Sequence, residues 1–176
     1  MIWYGSQRNV YAVDTLKHRV VKLSSYGRQI PSWKPPPFSD SLSDVAVDQH
    51  DNVYTAGHGE IDTFSPSGKH MRHWNIASPC CIDNVVVSAS GNVNGTDSSS
   101  PLVSPGPHEH LPASVVELSP RGRTVRTWTE PDQDPYSVVS PQLAAIDQHG
   151  SIYVVDRGND RLTRLSPTLR VLSAWH

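Results

Sequence analysis

The side chains best suited to chemistry in this sequence are its histidines, nine in 176 residues. Three neutral imidazoles that converge on an open tetrahedral zinc site could activate a water molecule or a hydroxyl group. The candidate ligands all fall between predicted strands: His18, His58, His108 and His110. They occupy different offsets in their loops, so the favoured interpretation is solvated loop histidines without a cofactor. Zinc held by these four, or calcium, is the alternative.

Two arginines follow similar turns in two separate segments of the sequence. Arg19 and Arg161 each follow a turn that begins with an aspartate, Asp14 or Asp156. Each guanidinium could bind a carboxylate or phosphate of a partner. We favour an ion pair with that aspartate, whose carboxylate should also accept hydrogen bonds within the turn. The candidate partner-binding residues are His18, Arg19, His58, Asp160 and Arg161, and no catalytic residues are predicted.

An internal repeat supplies the elements that must position these residues. Residues 43–74 align with 142–175, and the first copy aligns with the last without a gap. The third copy is interrupted by an insertion at 94–113. Each copy ends in a tryptophan that we expect to pack between neighbouring copies; these are Trp33, Trp74, Trp128 and Trp175. Such a fixed period is typical of repeat architectures.

Each copy reads as four short strands separated by turn residues. Alternating apolar and polar positions, as in Arg161–Leu165, predict half-buried strands. Repeated four-stranded units of this length predict an all-β, β-propeller fold in a single domain over 1–176. The expected blades are 1–33, 42–74, 83–128 and 142–175. We expect four antiparallel blades in an incomplete or open ring, with a closed four-bladed ring as the alternative.

The chain resembles NHL repeats. The resemblance is carried by Val45–Asp48, by Asn52–Tyr54, by Asp156–Leu162, and by Ser-Pro-x-Gly-Lys followed by a closing tryptophan. It weakens at Gly57–Glu60 and in the insertion. The resemblance implies a propeller with more blades than four, and hence that this chain is part of a larger one. It also implies two activities known among similar proteins: zinc-dependent lyases, and RNA-binding domains of ubiquitin-ligase-type proteins.

The meander of strands divides the connections between two rims. The tight-turn rim holds the first-to-second and third-to-fourth turns of each copy. The loop-rich rim holds the second-to-third turns and the longer connections between copies. The long connections are 34–42, 75–83, 94–113 and 129–142. Because long loops on a rigid scaffold commonly carry binding, the loop-rich rim and its central mouth are the expected site.

A non-catalytic scaffold that binds a protein or peptide is the leading functional interpretation. A zinc-dependent lyase or lactonase-like enzyme is the first alternative, and an RNA-binding NHL domain is the second. The net charge of −2 makes nucleic acid an unfavourable partner. We expect no membrane span and no signal peptide, and self-association through exposed end blades remains open. The adjacent cysteines, Cys80 and Cys81, are expected to be free thiols.

Overall fold

The computed structural model describes residues 2–5, 8–36, 42–76, 82–97, 114–129, 141–157 and 159–176. These residues form four antiparallel four-stranded sheets, each a consecutive meander. Blade 1 is β1 (Ile2–Tyr4), β2 (Val10–Asp14), β3 (Arg19–Leu23) and β4 (Gln29–Trp33). Blade 2 is β5 (Asp44–Val47), β6 (Val53–Gly57), β7 (Glu60–Phe64) and β8 (His70–Asn75). Blade 3 is β9 (Ile82–Val87), β10 (Val93–Asp97), β11 (Ser114–Leu118) and β12 (Thr124–Thr129), and blade 4 is β13 (Pro141–Ile146), β14 (Ile152–Asp156), β15 (Arg161–Leu165) and β16 (Val171–Trp175).

Recurring turn chemistry explains the hairpins of the tight-turn rim. In the first turn of blade 2, Asp48 accepts hydrogen bonds from the backbone amides of His50 and Asn52, at 2.8 and 2.9 Å. Asp147 accepts the equivalent bonds in blade 4. The third-to-fourth turn of every blade places one residue at positive φ: Gly27, Gly68, Gly122 and Leu169. Leucine is unusual there because its Cβ crowds the backbone in the left-handed region.

The core consists of three clusters, each lying between two successive blades. Tyr11 and Val20 of blade 1 pack with Val45, Val53 and Phe64 of blade 2. Equivalent clusters join blade 2 to blade 3 and blade 3 to blade 4. Because successive strand residues point to opposite faces, each inner blade can bury both of its faces. The apolar surface of one sheet is therefore covered by the next sheet along the chain.

Three of the closing tryptophans, Trp33, Trp74 and Trp128, lie at these junctions, as the sequence predicts, whereas Trp175 is 46% exposed in blade 4. Each is paired in register with an apolar residue of the third strand, such as Val20 with Trp33 and Ile61 with Trp74. A methyl carbon added at Gly68 would lie 2.7 Å from Cδ2 of Trp33, in the preceding blade. One added at Gly122 would lie 2.5 Å from Cγ of Trp74. The indoles of blades 1 and 2 thus lie against a glycine of the next blade.

The blades follow one another around an axis as an open arc. Inner strand β5 contacts β1 on one side and β9 on the other, and β9 also contacts β13. Within the described ranges, blades 4 and 1 make no comparable contact. The predicted all-β, open propeller is confirmed. The same ranges contain no apolar helix long enough to span a membrane.

The insertion begins later than the predicted start at residue 94. Asn94–Asp97 continue β10 and pair with both β9 and β11. The segment Asn94, Gly95 and Thr96 has too few apolar side chains for the sequence to indicate a strand. Asn94 and Thr96 are nevertheless buried. The rest of the insertion, with His108 and His110, lies outside the described residues, as do Cys80 and Cys81.

Candidate functional site

Three hairpins of the loop-rich rim are described, and their turns differ in length. In blade 2, His58 and Gly59 form a two-residue turn with φ of 48° and 78°. The connections of blades 1 and 4 have four residues in the sequence and end in His18 and Asp160, with φ of 46° and 47°. Aspartate and asparagine tolerate this left-handed region better than most residues, and histidine does so to a lesser degree. The shared geometry places His18 and Asp160 at equivalent positions of the rim.

Asp14 and Arg19 form an ion pair across the blade 1 hairpin. Arg19 Nε donates to Asp14 Oδ2 at 2.9 Å, and the Lys17 amide donates to Asp14 Oδ1 at 3.1 Å. The hydrogen bond from Arg19 lowers the pKa of Asp14 below its ordinary value. The favoured interpretation of Arg19, an ion pair that stabilises its own turn, is confirmed.

The blade 4 hairpin contains the same ion pair in a buried setting. Arg161 Nε donates to Asp156 Oδ2 at 2.8 Å, and the side chains are 6% and 0% exposed. Asn159 Nδ2 donates to the same carboxylate oxygen. This arrangement removes Arg161 from the rim surface, whereas Asp160, His18 and His58 are exposed. A shallow cleft of about 450 Å³ adjoins the hairpin, lined by Val155, Asp156, Arg157, Asp160, Arg161 and Leu162.

A polar cluster lies where the inner strands reach the loop-rich rim. Asp44 is opposite Ala56, next to the blade 2 hairpin, and is 1% exposed. It accepts hydrogen bonds from the amides of Val45, at 2.8 Å, and Val85, at 3.1 Å. The second bond joins blade 2 to blade 3. Burial raises the pKa of Asp44 to about 6.

Two further contacts extend this cluster, which we call the mouth cluster. Ser43 Oγ donates to Asp83 Oδ1 at 3.4 Å, and Thr96 Oγ1 donates to Asn84 Oδ1 at 3.3 Å. With Asp44, these residues place carboxylate, amide and hydroxyl groups at the ends of β5, β9 and β10. The polar groups at the mouth of the arc thus bond to one another and to the backbone, and burial raises the pKa of Asp44 among them to about 6.

The mouth cluster was not predicted from the sequence, although a signal was present. Asp44 and Asn84 precede Val45 and Val85, which begin the equivalent apolar runs of two copies. A polar residue before the same apolar run in two copies indicates the part of each inner strand that lies nearest the loop-rich rim. It does not by itself indicate that Asp44 reaches across to the next blade.

A second cluster lies between blades 1 and 2, on the outer strands. Asp62 is 1% exposed and lies 2.8 Å from His70 Nε2 and 3.1 Å from His73 Nδ1. Residues three apart on a regular strand point to opposite faces. A register shift between Thr63 and Phe64 breaks that alternation and brings both histidines to Asp62. The sequence does not reveal this shift, so the cluster was missed.

Of the four histidines named for the zinc alternative, the structure describes His18 and His58. His18 and His58 belong to hairpins of different blades, and no group of three or more metal-binding side chains occurs in the part of the chain that the structure describes. The other two candidates, His108 and His110, lie outside that part.

We expect Asp44→Asn to change how stability depends on pH. The pKa of Asp44 rises from 3.8 to about 6 on folding, so the folded chain holds this proton more tightly. The resulting stabilisation is complete below about pH 4 and is lost as pH rises to about 6. Relative to Asp44→Asn, the wild-type chain should lose up to about 3 kcal/mol over that interval. Urea unfolding at several pH values measures the difference, and a constant difference would contradict this assignment.

Comparison with known proteins finds similarity in structure alone. No protein-family model and no curated protein sequence matches the chain. A streptogramin B lyase structure has a TM-score of 0.73 and 13% identity, over 99% of this chain and 53% of that one. A virginiamycin B lyase structure from Staphylococcus aureus has a TM-score of 0.71 and 10% identity, over 99% of this chain and 54% of that one. A protein of unknown function from Bacteroides caccae has a TM-score of 0.62 and 9% identity, over 95% of this chain and 57% of that one.

The chain thus spans about half the length of these similar structures. One further neighbour is a catalytically inactive histidine-to-alanine variant of the S. aureus lyase with quinupristin, at a TM-score of 0.67, 10% identity and coverage of 97% and 53%. At these identities the likeness concerns the fold and not the chemistry. The four sheets of this chain have a β-propeller-like fold.

Proposed function

We propose that the chain is a non-catalytic platform whose loop-rich rim binds a protein or peptide segment carrying acidic and apolar side chains. The observation that carries the proposal is the tip of the blade 1 hairpin. Leu16 is 92% exposed there, beside the exposed Lys17 and His18. An apolar side chain next to a cation suits a partner that offers an apolar contact and a carboxylate.

The internal bonds of the hairpins support this proposal. Asp14 stabilises the blade 1 turn by accepting hydrogen bonds from Arg19 and from the Lys17 amide. The residues at the tip therefore project from a restrained backbone. The other described hairpins add exposed His58 and Arg157 to the same rim. Restrained loops lose less conformational entropy on binding, which favours affinity.

The relation to NHL repeats is part of the same proposal. The Asp156–Arg161 pair and the Asp147 turn lie in copy four, where the resemblance is good, as it is in copy two. Both stabilise their hairpins, which is a physical reason for aspartate and arginine at these positions of the repeat.

Selection of peptides from a random display library tests the rim directly, because no ligand has to be assumed. We expect Leu16→Asp, His58→Ala and Arg157→Glu each to weaken binding of the selected peptides by about tenfold or more, which corresponds to about 1.4 kcal/mol. Two matched controls, His50→Ala and Arg121→Glu, change exposed residues of the tight-turn rim. They should bind like the wild-type chain. Equal losses in both sets, or no rim-dependent peptide, would refute the proposal.

A lyase is the second candidate, because streptogramin B and virginiamycin B lyases share the fold. Incubation of the chain with quinupristin, followed by mass spectrometry, separates the two. The platform predicts that quinupristin stays intact. The lyase candidate predicts its conversion, reduced by His58→Ala, and zinc found by elemental analysis if the histidines act through a metal.

A further inference from the structure

The turns between the third and fourth strands carry positive charge in every blade. Each turn ends in an exposed cation at the same position, and blade 3 has one more: Arg28, Lys69, Arg121, Arg123 and Arg170. None of the five forms an ion pair with a described residue. These turns and the strands that follow them, residues 24–33, 65–75, 119–129 and 166–175, contain none of the chain's 17 aspartates and glutamates. The tight-turn rim therefore has a strip of one charge sign, the basic strip, although the net charge is −2.

Neighbouring turns of the basic strip lie side by side along the outer edge of the rim. Lys22 Nζ donates to the Pro66 carbonyl of the blade 2 turn at 2.9 Å, and Arg72 Nη1 donates to the Pro120 carbonyl of the blade 3 turn at 2.7 Å. Blades 2 and 3 have a neighbour on each side, so the exposure of their cations does not depend on the ends of the chain. Sheets packed face to face lie about 10 Å apart. Cations on successive blades are therefore too far apart to share one small anion, and they suit a partner whose anions repeat.

Blades 2 to 4 each place an exposed apolar side chain beside the cation of the turn. In blade 2 the pairing with β7 passes from His70 to Arg72, so Met71 is the extra residue of a β-bulge. Val125 and Leu172 are the extra residues of equivalent bulges in blades 3 and 4. The three side chains are 46%, 48% and 54% exposed, in chain order. Each follows the exposed cation of its turn by two residues.

Protection of the sheet edges does not explain these apolar residues. The outer strand of a blade has unpaired backbone groups, and a bulge or a charged side chain keeps such an edge from pairing with another chain. An exposed apolar side chain works against that protection, yet it recurs in three blades. Basic and apolar side chains together are typical of segments that lie at the boundary between lipid headgroups and acyl chains. Tyr26, which is 90% exposed in the blade 1 turn, is also of a type enriched at that boundary.

We propose that the tight-turn rim docks on an anionic lipid surface, with the basic strip near lipid phosphates and with Met71, Val125 and Leu172 at the acyl boundary. The pair of cation and apolar residue recurs from blade to blade, and lipid headgroups form a surface that repeats in the same way. Nucleic acid also repeats, but its bases stack on aromatic side chains, which these three residues lack. The contact lies on the surface of the membrane and needs no spanning segment.

Co-sedimentation with vesicles tests the charged half of this surface. Vesicles of equal parts phosphatidylcholine and phosphatidylserine should bind the wild-type chain, and phosphatidylcholine alone should not. Lys69→Ala with Arg123→Ala should lower the partition coefficient about 25-fold, since each basic side chain near such a surface contributes about fivefold, or about 1 kcal/mol. The matched control, Lys17→Ala with Arg157→Ala, removes the same charge from exposed positions of the loop-rich rim and should bind like the wild type.

A second double variant, Met71→Gln with Val125→Thr, tests the apolar half. It should lower the partition coefficient about tenfold, because each wild-type side chain buries about half of its apolar surface in the lipid. This ratio should persist in about 1 M salt, where a Debye length of about 3 Å screens the contribution of the cations.

A wild-type chain that binds neither type of vesicle overturns the proposal, as does an equal loss in the Lys17 and Arg157 control. A uridine oligonucleotide that releases the chain from vesicles, and whose affinity depends on Lys69 and Arg123 but not on Met71 and Val125, would assign the strip to nucleic acid instead. Peptides selected on the loop-rich rim should bind both tight-turn rim variants like the wild type. Loss of vesicle binding with retained peptide binding therefore leaves the proposed function intact.

Discussion

Gly68→Ala and Gly122→Ala are expected to destabilise the chain by about 3 kcal/mol or more, because two costs combine at each position. Both glycines have positive φ, 83° for Gly68 and 75° for Gly122.

 The left-handed conformation strains any L-residue by about 1 to 2 kcal/mol. The added methyl group would also overlap the indole of the preceding blade, at 2.7 Å from Trp33 or 2.5 Å from Trp74.

Gly27→Ala is the matched control for this prediction. Gly27 has φ of 74°, and a methyl group there meets nothing within 4 Å. The free energy of unfolding of this variant should therefore fall only by the cost of backbone strain, about 1 to 2 kcal/mol. Urea unfolding measures the stability of all three variants. Equal losses at the three glycines would show that the indoles do not lie against Gly68 and Gly122.

Asp156→Ala is expected to cost about 3 to 5 kcal/mol, because it leaves the buried guanidinium of Arg161 without its carboxylate. Asp14→Ala removes the same bond from a hairpin of the same length, where both partners are partly exposed. Solvent can hydrate Arg19 there, so the expected cost is below about 1 kcal/mol. Thermal or urea unfolding of the two variants gives the comparison.

Removal of both partners separates the ion pair from general packing. The double variant Asp156→Leu with Arg161→Met places apolar side chains at both buried positions and leaves no unpaired charge. It should be more stable than Asp156→Ala, since the cost of a broken buried pair comes mainly from the remaining charge. A double variant that is less stable than the single one would contradict this account of the hairpin.

The repeat in the sequence predicts the four sheets because strand and turn signals recur at equivalent positions. The alternation in Arg161–Leu165 and the aspartate at the start of the first turn, Asp48 or Asp147, each act within one hairpin. Local patterns of this kind depend on few other residues. The ion pair of Arg19 with Asp14 was predictable for the same reason, since both residues belong to one turn.

The features that the sequence did not predict all depend on contacts between strands or blades. Asp44 reaches the Val85 amide of the next blade, and only the packing of the two sheets brings them together. His70 and His73 share Asp62 because of one register shift. Leu169 occupies a position where the other blades have glycine, and its side chain is 5% exposed in the last junction. The pattern of one copy contains no sign of these contacts.

A double-mutant cycle on Trp33 and Gly68 is the most direct test of the claim that each blade covers its apolar face with the next. If the indole lies against Gly68, Gly68→Ala should cost about 3 kcal/mol in the wild-type chain but only about 1 to 2 kcal/mol when Trp33 is alanine. The two substitutions would then be coupled by about 1 to 2 kcal/mol, which unfolding of the four proteins can measure. Additive effects, within about 0.5 kcal/mol, would contradict the packing of blade 1 on blade 2.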